Sequence, residues 1–191
     1  MMPMITTYDK QGRNTMDLFT NEFMELRRIH LTGEINDDLA DQIIAQIEYL
    51  ARKSSDDITV VINSPGGAVT SGFAIYDAMN RCGCDVSTVC TGLAASMGAF
   101  LFSAGKKGKR FITPMAEVMI HQPLGGVKGQ ASDIARAAAH ITVTKERINA
   151  ILADNTGQTI ENIARDTDRD TYLTAQEAVE YGIADEILTA I

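Results

Sequence analysis

"DITVVINSPGGAVTSGFAIYDAMNRC", Asp57 to Cys82, reads as a strand, a turn and a helix in succession. The opening "DITVVINS" is short, β-branched and nearly all apolar, as expected for a strand buried on both faces. After "PGG" the chain turns into a helix. The same order repeats at once: "DVSTVCTGL" is a second strand, and "SMGAFLFSAG" a short apolar helix stopped by Gly105.

Upstream, "LRRIHLTGEI" reads as a strand ending near Gly33. "NDDLADQIIAQIEYLARKS" follows as a helix, capped by Asn36 or Asp37, with Leu39, Ile43, Ile44, Ile47 and Leu50 on one face. Downstream, "RFIT" and "EVMIHQ" are two more strands. The longest helix is expected from about Ser132 to Asn155, with Ile134, Ala138, Ile141, Ile148, Ile151 and Leu152 as apolar positions and Gly157 ending it. A short helix near "TIENIARD", a helix over "TAQEAVEYG" with Thr174 and Glu177 in capping-box spacing, and a strand-like "ADEIL" complete the chain. Alternating short apolar strands and helices predict an α/β fold with a mostly parallel sheet. No repeat or linker divides the chain, and the segment to about Glu22, polar and weakly patterned, reads as an arm or flexible loop.

The charge balance, 17 basic against 25 acidic residues for a net −8, argues against nucleic acid, which demands a concentrated basic surface. The short run "KKGKR", Lys106 to Arg110, reads as a solvated turn. No apolar stretch is long enough for a signal peptide or a membrane span, so a cytoplasmic protein is expected. Cys82, Cys84 and Cys90 cannot all pair, and no second Cys/His cluster completes a metal site, so plain thiols and no metal are expected.

In parallel sheets, sites form where a strand gives way to a helix. Two such junctions stand out, "INSPGGA" and "TGLAASMGA". The turn "AASMG" is G-x-S-x-G with Ala94 for the first glycine, the pattern of a nucleophile elbow. Ser96 either caps the following helix or projects its hydroxyl as a nucleophile, near free N–H groups that favour a developing negative charge. A serine nucleophile needs a base. Of the three histidines, His30 lies in a strand and His140 in the long helix, whereas His121 ends the strand "EVMIHQ" and is the best candidate. Pattern alone leaves the orienting carboxylate open among Asp166, Asp168, Asp170 and Asp185. The two glycines of "NSPGG" suit either an oxyanion hole or an ordinary turn.

Taken together, "INSPGG", "AASMGAF", "GKRF", "VMIHQPLGG", "GQASDI" and "RDTDRD" resemble the ClpP peptidases in order and spacing, from about Leu26 to Leu188. The resemblance implies a spiral of ββα units, crotonase-like, with a projecting handle helix over about 128–156. It divides the chain into an axial arm, 1–22, and one peptidase domain, 23–191. It implies a serine endopeptidase with Ser96 as nucleophile, His121 as base and Asp170 as the orienting acid. The backbone N–H groups of Gly67 and Met97 would form the oxyanion hole, and Pro123, Leu124, Gly125 and Gly126 would bind substrate as an added strand.

The same resemblance implies two stacked heptameric rings that enclose the sites. Asp168 and Arg169 would link ring-to-ring contacts to triad alignment, with Gln130 and Asp133 as handle-side partners. An AAA+ unfoldase of ClpX, ClpA or ClpC type would deliver unfolded protein, docking on a pocket that includes Val61, Phe111 and Leu188. ATP would be used by that partner, and no cofactor by this chain. The chain departs from the family where Thr59 and Val61 replace tyrosines expected in the docking pocket, which predicts weak docking alone and rings shared with a paralogous ClpP subunit. Two other readings stand beside this one. A crotonase-like acyl-CoA enzyme would use a Gly-Gly oxyanion hole without needing Ser96 and His121 together, and a non-catalytic ring subunit would serve assembly alone.

Overall fold

A computed structural model of the chain describes residues 3–9 and 12–189. Met1, Met2, Lys10, Gln11, Ala190 and Ile191, which fall within the two expected units, lie outside the described residues. The boundary expected near residue 22 falls inside a helix. Met4–Asp9 (β1) pairs antiparallel with Gly12–Asp17 (β2), and Leu18–Leu26 (α1) follows directly. The stretch read as a polar arm therefore carries regular structure. Its order comes from strand pairing, a helix cap and aromatic contacts that apolar spacing along the chain does not reveal. Asp17 caps α1 by accepting from Thr20 N–H at 3.0 Å, and Leu18 N–H donates to the Pro3 carbonyl at 3.1 Å. Phe19 and Phe23, one turn apart, then meet His30 edge-on and Tyr49 respectively.

Next come Arg28–Thr32 (β3), Asp37–Lys53 (α2), Ile58–Ser64 (β4), Val69–Arg81 (α3), Val86–Ala95 (β5) and Met97–Ser103 (α4). Arg110–Ile112 (β6), Glu117–Ile120 (β7), Ala131–Thr156 (α5) and Ile160–Asp166 (α6) follow. Thr171–Thr174 (β8), Ala175–Tyr181 (α7) and Glu186–Ile187 (β9) end the chain. Strands β3-β4-β5-β6-β9 form a parallel sheet in that order. The long strand β5 forks: Thr88–Cys90 pairs β6, and Leu93–Ala95 pairs β7. This α/β architecture matches the fold class read from the sequence. Strand β8, antiparallel to β7, was not legible, because its four residues follow an acidic run and carry one buried side chain, Leu173.

Burial alternates along β4. Ile58, Val60 and Ile62 are fully buried, while Thr59 and Val61 are half-buried. Each fully buried isoleucine contributes about 1.5–3 kcal/mol relative to exposure. Helix α2 covers one face with Ile43, Ile47 and Leu50 buried and Leu39 and Ile44 packed at the margin. Asn36 is its cap, accepting from Leu39 N–H at 2.9 Å. Helix α4 is buried along its whole length. It does not end on a left-handed Gly105. Ala104 closes it in right-handed conformation, and Gly105 serves close approach instead, since a Cβ there would collide with Thr88. Helix α5 is buried only near its end, through Ile148, Asn149, Leu152 and Ala153, and Ile134 and Ala138 face solvent in the single chain.

Candidate active site

The sequence "LAASMG" places a serine where β5 stops and α4 starts, and the backbone there is strained. Ser96 has φ 55° and ψ −121°, one of two non-glycine residues with positive φ among those described. Its own N–H donates to the Met119 carbonyl at 2.8 Å, which fastens the turn to β7. Small residues are required around it. A Cβ on Gly66 would lie 2.6 Å from the Ser96 Cβ, and one on Gly98 would lie 2.9 Å from the Ser64 carbonyl oxygen. The crowding of "PGG" against "AASMG" thus brings the two junctions together.

His121 follows β7 directly, on the strand beside the end of β5. Its Nε2 lies 2.9 Å from Ser96 Oγ, and its Nδ1 lies 3.0 Å from Asp170 Oδ1. An ionised carboxylate only accepts, so Nδ1–H donates to Asp170 and Nε2 is left to accept from the serine hydroxyl. Of the four acids left open by pattern, Asp170 alone meets His121. Asp166 accepts from the Tyr181 hydroxyl and pairs with Arg165. Asp168 lies 3.8 Å from Arg169. Asp185 is held by Arg110, which donates from Nε at 2.9 Å and from its terminal nitrogen. Burial pushes the Asp185 carboxyl up, but the hydrogen bonds and charge of Arg110, with the N–H groups of Arg110 and Gly108, hold it below its ordinary value. The other two histidines sit apart: His30 bonds Glu22 at 2.8 Å, and His140 is exposed on α5. Nor does Cys90 compete as a nucleophile, since burial pushes its thiol up to about 12.

Gly67 continues the strand pairing past Gly33, bridging to Ile35. Ile35 N–H donates to Gly66 and Ala68 N–H donates to Ile35, which leaves the Gly67 N–H out of that ladder. Gly67 sits at φ 152°, and a Cβ would collide with the Ile35 carbonyl. Met97 is the first residue of α4, where a helix leaves its N–H groups without intrahelical acceptors. Beside Ser96, Val69, Met97, Phe100, Ile120, Pro123, Ile148 and Leu152 line an apolar hollow. A neighbouring groove of about 380 Å³ shares Val69 and Pro123 with it and runs along α5. Pro123, Leu124, Gly125 and Gly126 form no helix or strand, and Leu124 is 83% exposed.

Residues 10–190 match the family model described as Clp protease. The chain belongs to the Clp protease family. It is thus a protease of the ClpP type, a hydrolase by class, and the family works in the usual assembly with Clp ATPases. Among the described residues, no helix is long and apolar enough to cross a membrane.

The remaining expected positions of this Clp protease chain are distributed over the sheet and α5. Val61 and Phe111 lie in one half-buried row with Val89, each aligned with its neighbour across β4, β5 and β6, and Leu188 follows β9 beside Ile112. Gln130 occupies the cap position of α5, and Asp133 lies in its first turn, 3.9 Å from Arg136. Within one chain, no hydrogen bond or ion pair among the described residues joins Gln130 or Asp133 to Asp168 or Arg169. Sequence reasoning passed over Gln122 and Lys145. Gln122 bonds Lys145 Nζ at 3.0 Å and the Asp168 carbonyl at 2.8 Å; it stands in "VMIHQPLGG" with no role assigned to it there, and no motif covers Lys145.

Proposed function

We propose that this chain is the serine endopeptidase subunit of an ATP-dependent, self-compartmentalised protease. The observation that carries the reading is the hydrogen-bond chain from Asp170 through His121 to a strained Ser96. Ser96 Oγ attacks the peptide carbonyl while His121 Nε2 takes its proton, and Asp170 stabilises the imidazolium. The N–H groups of Gly67 and Met97 receive the oxyanion, a contribution of about 3–4 kcal/mol per donor in comparable sites. His121 then returns the proton to the leaving amine. A water, activated by the same imidazole, releases the acyl group from Ser96. This chemistry uses no metal or cofactor.

Substrate backbone pairs with Pro123–Gly126 as an added strand. Main-chain recognition reads few side chains, so selectivity rests on access. Two stacked heptameric rings provide it, with Gln130, Asp133, Asp168 and Arg169 at ring contacts and an AAA+ unfoldase seated over Val61, Phe111 and Leu188. The protein works in the cytoplasm on unfolded polypeptide.

The test is hydrolysis of a fluorogenic peptide by purified wild type, Ser96→Ala and His121→Ala, with an acyl-CoA thioester as a second substrate. Peptide turnover by wild type alone supports the reading. Thioester turnover without peptide turnover transfers the chain to the crotonase-like alternative, and silence on both, even with a paralogous subunit present, leaves an assembly role.

A further inference from the structure

The carboxylate of Asp170 is 59% exposed, and among the described residues its side chain bonds His121 alone. An exposed contact of that kind holds geometry weakly by itself. The loop that carries Asp170 is held elsewhere. On its far side, Thr171 pairs with Ile120 in the β7–β8 ladder. On its near side, Gln122 N–H donates to the Thr167 carbonyl at 2.6 Å, and Gln122 Nε2 donates to the Asp168 carbonyl at 2.8 Å. Both anchors come from the residues that flank His121.

The Gln122 amide has a defined orientation. Lys145 Nζ only donates and lies 3.0 Å from Oε1, while the Asp168 carbonyl only accepts and faces Nε2. Reversing the amide breaks both bonds. Lys145 is half-buried on α5, and one turn along the same helix Asn149 bonds the buried Thr167 hydroxyl at 3.3 Å. Helix α5 thus grips the Asp170 loop twice, once directly and once through Gln122.

We propose that Gln122, oriented by Lys145, is a positioning residue that keeps the Asp170 carboxylate in register with His121. Any movement of α5 at Lys145 then reaches the reacting imidazole through three hydrogen bonds, Lys145 to Gln122, Gln122 to the Asp168 carbonyl and His121 to Asp170. This inference rests on the peptidase reading above. Its test uses the full-length assembled protein in three variants. Lys145→Met keeps the apolar stem and removes the donor. Lys145→Arg keeps a donor. Gln122→Glu keeps the acceptor for Lys145 and removes the donor to Asp168.

Steady-state peptide hydrolysis, with assembly size checked in parallel, is expected to show kcat reduced by about tenfold or more in Lys145→Met and Gln122→Glu, with KM within about twofold of wild type. Lys145→Arg recovers most of the loss. Variants with wild-type kcat in an active background overturn the inference and leave the peptidase reading standing. So does a rise in KM without a fall in kcat, or a loss confined to broken assemblies. A silent wild type overturns both.

Discussion

At the residue scale, two glycines near Ser96 do different work. Gly66 makes room for the elbow itself, and Gly67 holds a backbone conformation that an L side chain rarely adopts. Gly67→Ala is expected to destabilise the fold by about 1–3 kcal/mol and to reduce peptide turnover further than that loss explains, because the N–H proposed to receive the oxyanion moves with it. Thermal melts against kcat on the same preparation check this; unchanged melting and unchanged kcat would contradict it. The serine and histidine were legible in sequence because each ends a strand, where side chains gather at a sheet edge. The acid was not, because "RDTDRDTY" offers Asp166, Asp168 and Asp170 at equal spacing and only the turn before β8 distinguishes them. The family resemblance, not pattern, singled out Asp170.

At the element scale, the Arg110–Asp185 pair ties β6 to the start of β9, and Arg110 also donates to the Asn155 carbonyl near the end of α5 at 2.8 Å. Arg110 is buried, so Asp185→Asn leaves an uncompensated charge and is expected to cost about 3–5 kcal/mol. The carboxyl is held below its ordinary value in the folded chain, so its stabilisation is present above the unfolded value, about 3.9, and is lost as pH falls through the folded one. The melting difference between wild type and Asp185→Asn should therefore be full at neutral pH and narrow below about pH 4; a gap constant across that range would contradict the assignment. A smaller effect is expected at α7, where Thr174 accepts from Glu177 N–H and Glu177 reaches back to Thr174 N–H at 2.9 Å. Thr174→Ala should cost about 1 kcal/mol, read from denaturant midpoints. These helices were legible because caps and apolar spacing are local. The β1–β2 hairpin and β8 were missed because their order depends on partners that spacing does not reveal.

At the scale of the whole molecule, the outer half of α5 is solvated in the single chain, with Ile134 and Val143 42% and 61% exposed. The peptidase reading covers that surface by ring stacking, and it places the unfoldase over the row from Val61 to Phe111. Aromatic side chains dominate interface hot spots, and β4 supplies Thr59 and Val61 there instead. The purified protein is therefore expected to capture an AAA+ unfoldase weakly, and Thr59→Tyr with Val61→Tyr to strengthen capture by about tenfold in a pull-down titration. Tight capture by the unmodified protein alone would remove the argument for a paralogous ring partner.

On the peptidase reading, Ser96 is an activated nucleophile. Intact mass after treatment with a fluorophosphonate probe tests it most directly, on the assembled wild type and on Ser96→Ala. One adduct per chain on the wild type and none on the variant is the predicted result. No adduct on either protein, with and without a paralogous subunit, would contradict it.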